Sequence, residues 1–203
     1  MSSSPDRAGR YTVRLDDGTV LRLYKQTVQD FGLYPGLELT AEEKRKLLTA
    51  AGEMSAKMRA VRIVSATSVS KSDLERRLVQ KGEDPLQAKQ AVQWMADLDL
   101  LDDQKTAEQV VHRCISKGYG LARAKQALFE KRIPKTYWDV VLADYPDQGD
   151  VIVEYLRAKL GTNADEKTVR KAVDALLRRG HSYSEIRRGL QQLSLEAELA
   201  EDC

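Results

Sequence analysis

Sulfur is scarce in this chain, and what there is cannot build a framework. Its two cysteines, Cys114 and Cys203, show no C-x-x-C spacing, which excludes a disulfide scaffold and a zinc ribbon. Aromatic residues make up 6% and prolines number five, too few for a β-sandwich or a proline-rich disordered chain. No stretch approaches the roughly 18 apolar residues of a membrane span. The opening MSSSPDRAGR lacks the apolar segment of a secretory signal. The expected setting is therefore a reducing cytoplasm, with no membrane partner. Histidines number two, His112 and His181, and the formal net charge is only +2, which by itself points to no nucleic-acid partner.

Charge is abundant but segregated. Charged residues reach 32%, above the roughly 25% of an average globular domain, as expected of many helices in an elongated array. Lys57 to Lys81 holds seven basic and two acidic residues, Glu83 to Asp103 one basic and six acidic, and Arg157 to Gln191 nine basic and four acidic. Two positive zones thus flank a negative one.

The N-terminus has strand periodicity. In YTVRLDDGTVLRL, a three-residue loop Asp16-Asp17-Gly18 with Gly18 left-handed pairs Val13 with Leu21 and Tyr11 with Leu23 on one face. A third short strand is expected at Leu37–Leu39, after the Pro35-Gly36 turn. Thr40-Ala41-Glu42-Glu43 is a capping box opening a helix to about Ser65, and everything beyond is helical in pattern.

Self-comparison reveals three copies of one unit: DLERRLVQKGEDPLQAKQAVQWM, RAKQALFEKRIPKTYWDVVLADY and KAVDALLRRGHSYSEIRRGLQQL. Gly82, Arg132 and Gly180 mark the turns. Leu78, Leu128 and Leu176 lie four residues before them, and Val92, Leu142 and Leu190 ten after. Helices restart at Asp84-Pro85, at Pro134 as first helical residue, and at Ser182 with Glu185. A further apolar-striped helix precedes each pair. The expected architecture is mainly α: three tandem three-helix-bundle repeats, helix-turn-helix-like, in an elongated curved array with a small N-terminal β element. The expected boundaries are 1–40 for the tail and β element, 41–101, 102–147 and 148–195 for the repeats, and 196–203 for an acidic tail.

Few residues are candidates for chemistry. Asp97, Asp99, Asp102 and Asp103 crowd into the joint after the first repeat, but a calcium loop begun at Asp97 lacks the glycine required at its sixth position. Asp102 and Asp103 instead suit the start of the next helix, where carboxylates meet unpaired N–H groups. His112 and Cys114 sit about 200° apart around a helix, too divergent to chelate one metal. Gly118-Tyr119-Gly120 has neither the strand nor the lysine of a phosphate loop and reads as a tight turn. Gly82 and Gly180 fit left-handed helix stops. No catalytic residue, metal site or cofactor is implied. The basic clusters remain: Arg76, Arg77 and Lys81 in the first repeat, and Arg170, Lys171, Arg178, Arg179, Arg187 and Arg188 in the third. Guanidinium forks suit phosphates and carboxylates alike, so nucleic acid and an acidic protein surface both stay open.

SKSDLERRLVQKG, LLDDQKTAEQVVHRCISKGYG and ALLRRGHSYSEI, in that order, resemble the three repeats of the RecX family, bacterial regulators of the RecA recombinase. The resemblance spans roughly Glu43 to Leu193. It matches the family's paired aspartates at Asp102 and Asp103, its Arg with Gly-Tyr-Gly at Arg113 and Gly118–Gly120, and its Arg-Gly turn at Arg179 and Gly180. It departs at Thr106 and His181, where aromatics are usual, and at Asp99 and Arg132, where glycines are. The resemblance implies a non-enzymatic, monomeric protein that binds the RecA filament, with single- or double-stranded DNA as an open second partner. The contact residues it suggests are the basic clusters together with Arg113 and Tyr119.

Overall fold

A computed structural model describes Ser2, residues 4–161 and residues 164–201, with side chains up to residue 194. The chain forms two compact units, one ending at Asp102 and one starting at Asp103.

The first unit begins with an antiparallel hairpin of β1 (Arg10–Arg14) and β2 (Val20–Tyr24). Val13 pairs with Leu21 and Tyr11 with Leu23, the register expected from the apolar rows. Gly18 has φ +84°, its N–H donates to the Leu15 carbonyl, and the Leu15 N–H closes the loop on Thr19. The third strand does not form: Leu37–Leu39 is irregular, and a short helix α1 (Lys25–Asp30) follows β2 instead. The Leu37 N–H donates to the Tyr34 carbonyl, so this segment spends its hydrogen bonding on the Pro35-Gly36 turn rather than on a ladder.

Helix α2 (Ala41–Ala66) starts on the expected capping box, with Thr40 and Glu43 bonded reciprocally. It packs with α3 (Lys71–Gln80) and α4 (Pro85–Asp97) around Leu74, Leu78, Ala88, Val92 and Met95. The Asp84 carboxylate caps α4, whose first residue is Pro85. Tyr24 bonds Arg62, tying the hairpin to α2.

The second unit holds two more bundles. The first consists of α5 (Asp103–Ser116), α6 (Leu121–Glu130) and α7 (Trp138–Leu142), around Ala107, Val111, Leu128 and Ile133. Pro134 does not start an α-helix here. It precedes a single 3-10 turn, Lys135–Tyr137, and α7 is only five residues long. The Trp138 indole N–H donates to the Ile133 carbonyl, which fixes this tighter path. The second bundle has α8 (Gly149–Leu160), α9 (Glu166–Arg178) and α10 (Tyr183–Glu201), around Ile152, Leu156, Leu176 and Ile186. Ser182 and Glu185 form a reciprocal capping box ahead of α10. The acidic tail expected over 196–203 lies outside the described side chains, although the α10 backbone is helical to Glu201, and Cys203 lies outside the described residues altogether.

One local rule ends the second helix of every bundle. A left-handed residue donates to the carbonyl three before it, and its successor donates to the carbonyl five before it. Gly82 and Glu83 do so onto Val79 and Leu78, Arg132 and Ile133 onto Phe129 and Leu128, and Gly180 and His181 onto Leu177 and Leu176. In these three turns the successor, Glu83, Ile133 or His181, is buried. Asp99 and Gly118 stop α4 and α5 the same way.

Candidate partner-binding surface

The third bundle separates its charges from its core by helical spacing alone. Along α9, Ala172 and Leu176 face inward, while the adjacent pair Arg170 and Lys171 and, two turns later, Arg178 are exposed. Arg187 and Arg188 are exposed on α10, two residues or fewer from the buried Ile186. None of these five cations forms an ion pair or side-chain hydrogen bond with another described residue. Arg188 borders a groove of about 370 Å³ between α8 and α10, which also exposes Asp147, Asp150 and Glu185.

Arg179 has a different position. Its guanidinium lies over the Tyr155 ring of α8, 4.4 Å from the centroid. Its carbonyl accepts a 3.0 Å bond from the Gly120 N–H, and the Gly180 carbonyl accepts from Ala122 at 3.3 Å. The Gly118-Tyr119-Gly120 turn of the middle bundle is therefore docked, backbone to backbone, on the Arg179-Gly180-His181 turn of the last one.

There is no room for a side chain at that contact. A Cβ on Gly120 would sit 2.1 Å from the Gly180 carbonyl oxygen, one on Gly180 2.3 Å from the Arg123 nitrogen, and one on Gly118 2.6 Å from Val151 Cγ1. Buried His181, 3% exposed, bonds through Nε2 to the Gly118 carbonyl at 3.1 Å. A carbonyl only accepts, so Nε2 carries the proton, and buried Nδ1 has no partner among the described residues. Burial pushes the His181 pKa below its ordinary 6.5. From the other side, the Tyr145 hydroxyl donates to the Tyr119 carbonyl at 2.6 Å, and burial raises that phenol to about 12. The Tyr119 side chain itself is half-buried.

In the first bundle, Arg76 and Arg77 converge on Asp73, a carboxylate 2% exposed, at 2.7 and 2.9 Å. These two cations are spent on holding α3, whereas Lys81 is exposed at its C-terminal cap. Glu83, on the far side of the turn, is held by Ser55 at 3.0 Å and by Arg59. Arg113 is exposed near the end of α5. Asp103 is buried as the first residue of that helix, and Asp102 is half-buried before it.

The structure thus brings together Gly118, Tyr119, Gly120, Arg179 and Gly180, and leaves Arg170, Lys171 and Arg178 exposed on α9 and Arg187 and Arg188 exposed on α10, the cationic surface of the third bundle. Sequence reading missed two partners in the junction, His181 and Tyr145. The signal for His181 was its place directly after a left-handed stop, an inward-facing position. Tyr145 carried no local signal.

Among the described residues, no group of three His, Cys, Asp or Glu side chains is placed to hold a metal ion, and no helix is long and apolar enough to cross a membrane.

No protein-family model matches the chain. Relatives do. A protein named regulatory protein RecX from Vibrio campbellii is 28% identical over 136 residues, covering 66% of this chain and 88% of its own. Its namesake in Lactobacillus delbrueckii subsp. bulgaricus is 27% identical over 202 residues, covering 97% and 74%. Among solved structures, a crystal structure of regulatory protein RecX superposes with a TM-score of 0.63 over 91% of this chain and 96% of that one, at 20% identity. RecX from Lactobacillus salivarius gives 0.60 over 72% and 99%, at 22% identity. The solved structures share this chain's fold, and the sequence similarity to proteins named regulatory protein RecX supports its assignment to the RecX family.

Proposed function

We propose that this protein is a non-enzymatic regulator that binds the RecA recombinase, chiefly its filament on DNA, and restrains strand exchange, ATP hydrolysis and co-protease activity. The supporting observation is the third bundle's cationic face. Five exposed cations with no internal partner are a standing electrostatic demand that an acidic protein surface or a phosphate backbone would meet. The test is RecA-catalysed ATP hydrolysis on single-stranded DNA with this protein added. A concentration-dependent fall in rate supports the reading, and an unchanged rate removes it.

A second reading rests on α9, its turn and α10, a helix-turn-helix whose second helix presents Arg187 and Arg188 outward. On that reading the chain binds DNA on its own. Tight duplex or single-strand binding with a steep salt slope, unaffected by RecA, would favour it.

A further inference from the structure

The basic face is not the only exposed feature that recurs. From the second-helix core position to thirteen residues past the turn, each bundle exposes only two large apolar side chains: Val79 and Leu86, Phe129 and Val140, Leu177 and Tyr183. Leu86, Val140 and Tyr183 occupy unrelated positions. Val79, Phe129 and Leu177 occupy the same one, three residues before Gly82, Arg132 and Gly180, and are 40%, 65% and 42% exposed.

The helix stop does not account for them. In that geometry the apolar contact joins the residue four before the turn to the residue after it, which here means Leu78, Leu128 and Leu176 with Glu83, Ile133 and His181. The residue three before contributes only its carbonyl. Its side chain points away from the core and is free to be polar, yet it is apolar in all three copies. Beside it, at the helix C-cap, stands a cation each time: Lys81, Lys131 and Arg179. A cation there has a sufficient explanation in the negative end of the helix, and it also places a positive residue two positions after each apolar side chain.

We infer that Val79, Phe129 and Leu177 are three copies of one docking element, each an apolar knob beside a cation. Each seats in an apolar recess rimmed by carboxylates, and the occupant is a partner that repeats that recess on identical subunits. Resting on the proposed function, this assigns the contact with the RecA polymer to three separate apolar anchors, with the cationic face of the third bundle as an additional attraction. Burying an exposed aromatic or aliphatic anchor contributes far more to affinity than a screened surface charge. Linked copies multiply when their partners are held in one assembly.

The experiment is the RecA ATP-hydrolysis titration with V79S, F129S, L177S and the triple variant, with F129L as the conservative control. All three positions of substitution are on exposed surface, so helix content and thermal midpoint serve as the folding check. The expected result is that F129S raises the half-inhibiting concentration roughly tenfold, the truncation effect of a central anchor. V79S and L177S raise it less, the triple variant loses inhibition, and F129L retains it. A folded triple variant that inhibits at the wild-type concentration overturns the anchors while leaving the proposed function standing. A wild-type protein that leaves hydrolysis unchanged overturns both.

Discussion

Two residues sit in a backbone conformation that their side chains resist. Asp99 and Arg132 have φ of +55°, where a Cβ crowds the following carbonyl at a cost of about 1–2 kcal/mol. Each ends a helix at a position that glycine fills at Gly82, Gly118 and Gly180. Asp99→Gly and Arg132→Gly are therefore expected to raise stability, each by about 0.5–1 kcal/mol after the extra unfolded-state entropy of glycine. Urea denaturation monitored by circular dichroism checks this. The repeat alignment marked Arg132 as a turn position, and the family resemblance marked Asp99 as a place where glycine is usual, so this feature was legible in sequence. His181 was legible only in part: the place after a turn predicts burial, but nothing local tells which carbonyl the ring will reach. Its folded pKa lies below the unfolded 6.5, so the unfolded chain binds the proton more readily. Stability at this site is then fully present above 6.5 and declines as pH falls through and below that value. An NMR titration should place the His181 pKa below 6.5, and a value at or above 6.5 contradicts the buried, singly bonded ring.

At the scale of elements, helix starts and stops were readable because they are set by near neighbours. Thr40 with Glu43, Asp84 with Pro85, and Ser182 with Glu185 all act as their spacing implies. The two elements that departed from expectation, the absent strand at Leu37–Leu39 and the short α7, were decided by contacts that periodicity cannot carry. One is the turn bond from Leu37 to Tyr34, the other the bond from Trp138 to Ile133. Asp73 shows how a charged element start works here. Its backbone N–H is capped by Ser70 at 3.1 Å, while its buried carboxylate holds Arg76 and Arg77. Asp73→Ala should cost about 2 kcal/mol, because a buried acceptor is lost while the part-exposed guanidiniums recover water. Asp103→Ala, at the first residue of α5, should cost about 1 kcal/mol, the worth of a carboxylate at a helix start. Metal addition is expected to change neither variant's melting midpoint.

At the scale of the molecule, the middle and last bundles meet through glycines. Gly120→Ala or Gly180→Ala places a methyl group against backbone at 2.1 or 2.3 Å, which neither turn can absorb by moving a side chain. Either change should separate the unfolding of the two bundles and expose the Arg179 and Gly118 carbonyl regions to faster amide exchange, with a loss of about 2–3 kcal/mol. The two sequence fragments that meet there, Gly118–Gly120 and Arg179–His181, each stood out as a turn. That they dock on each other was invisible, since no spacing rule links residues some sixty positions apart.

Function belongs to this same scale, and the central claim is that the cationic face of the third bundle acts on RecA. Arg179 should be left in place, because it braces α8 and the glycine junction. The decisive measurement is the inhibition of RecA's DNA-dependent ATP hydrolysis by the wild-type chain and by a variant with Arg170, Lys171, Arg178, Arg187 and Arg188 replaced by Ala. The account predicts that the wild type inhibits, and that the variant, with unchanged helix content, needs at least roughly tenfold more protein for the same effect. Equal inhibition by the two proteins, or none by either, would contradict it.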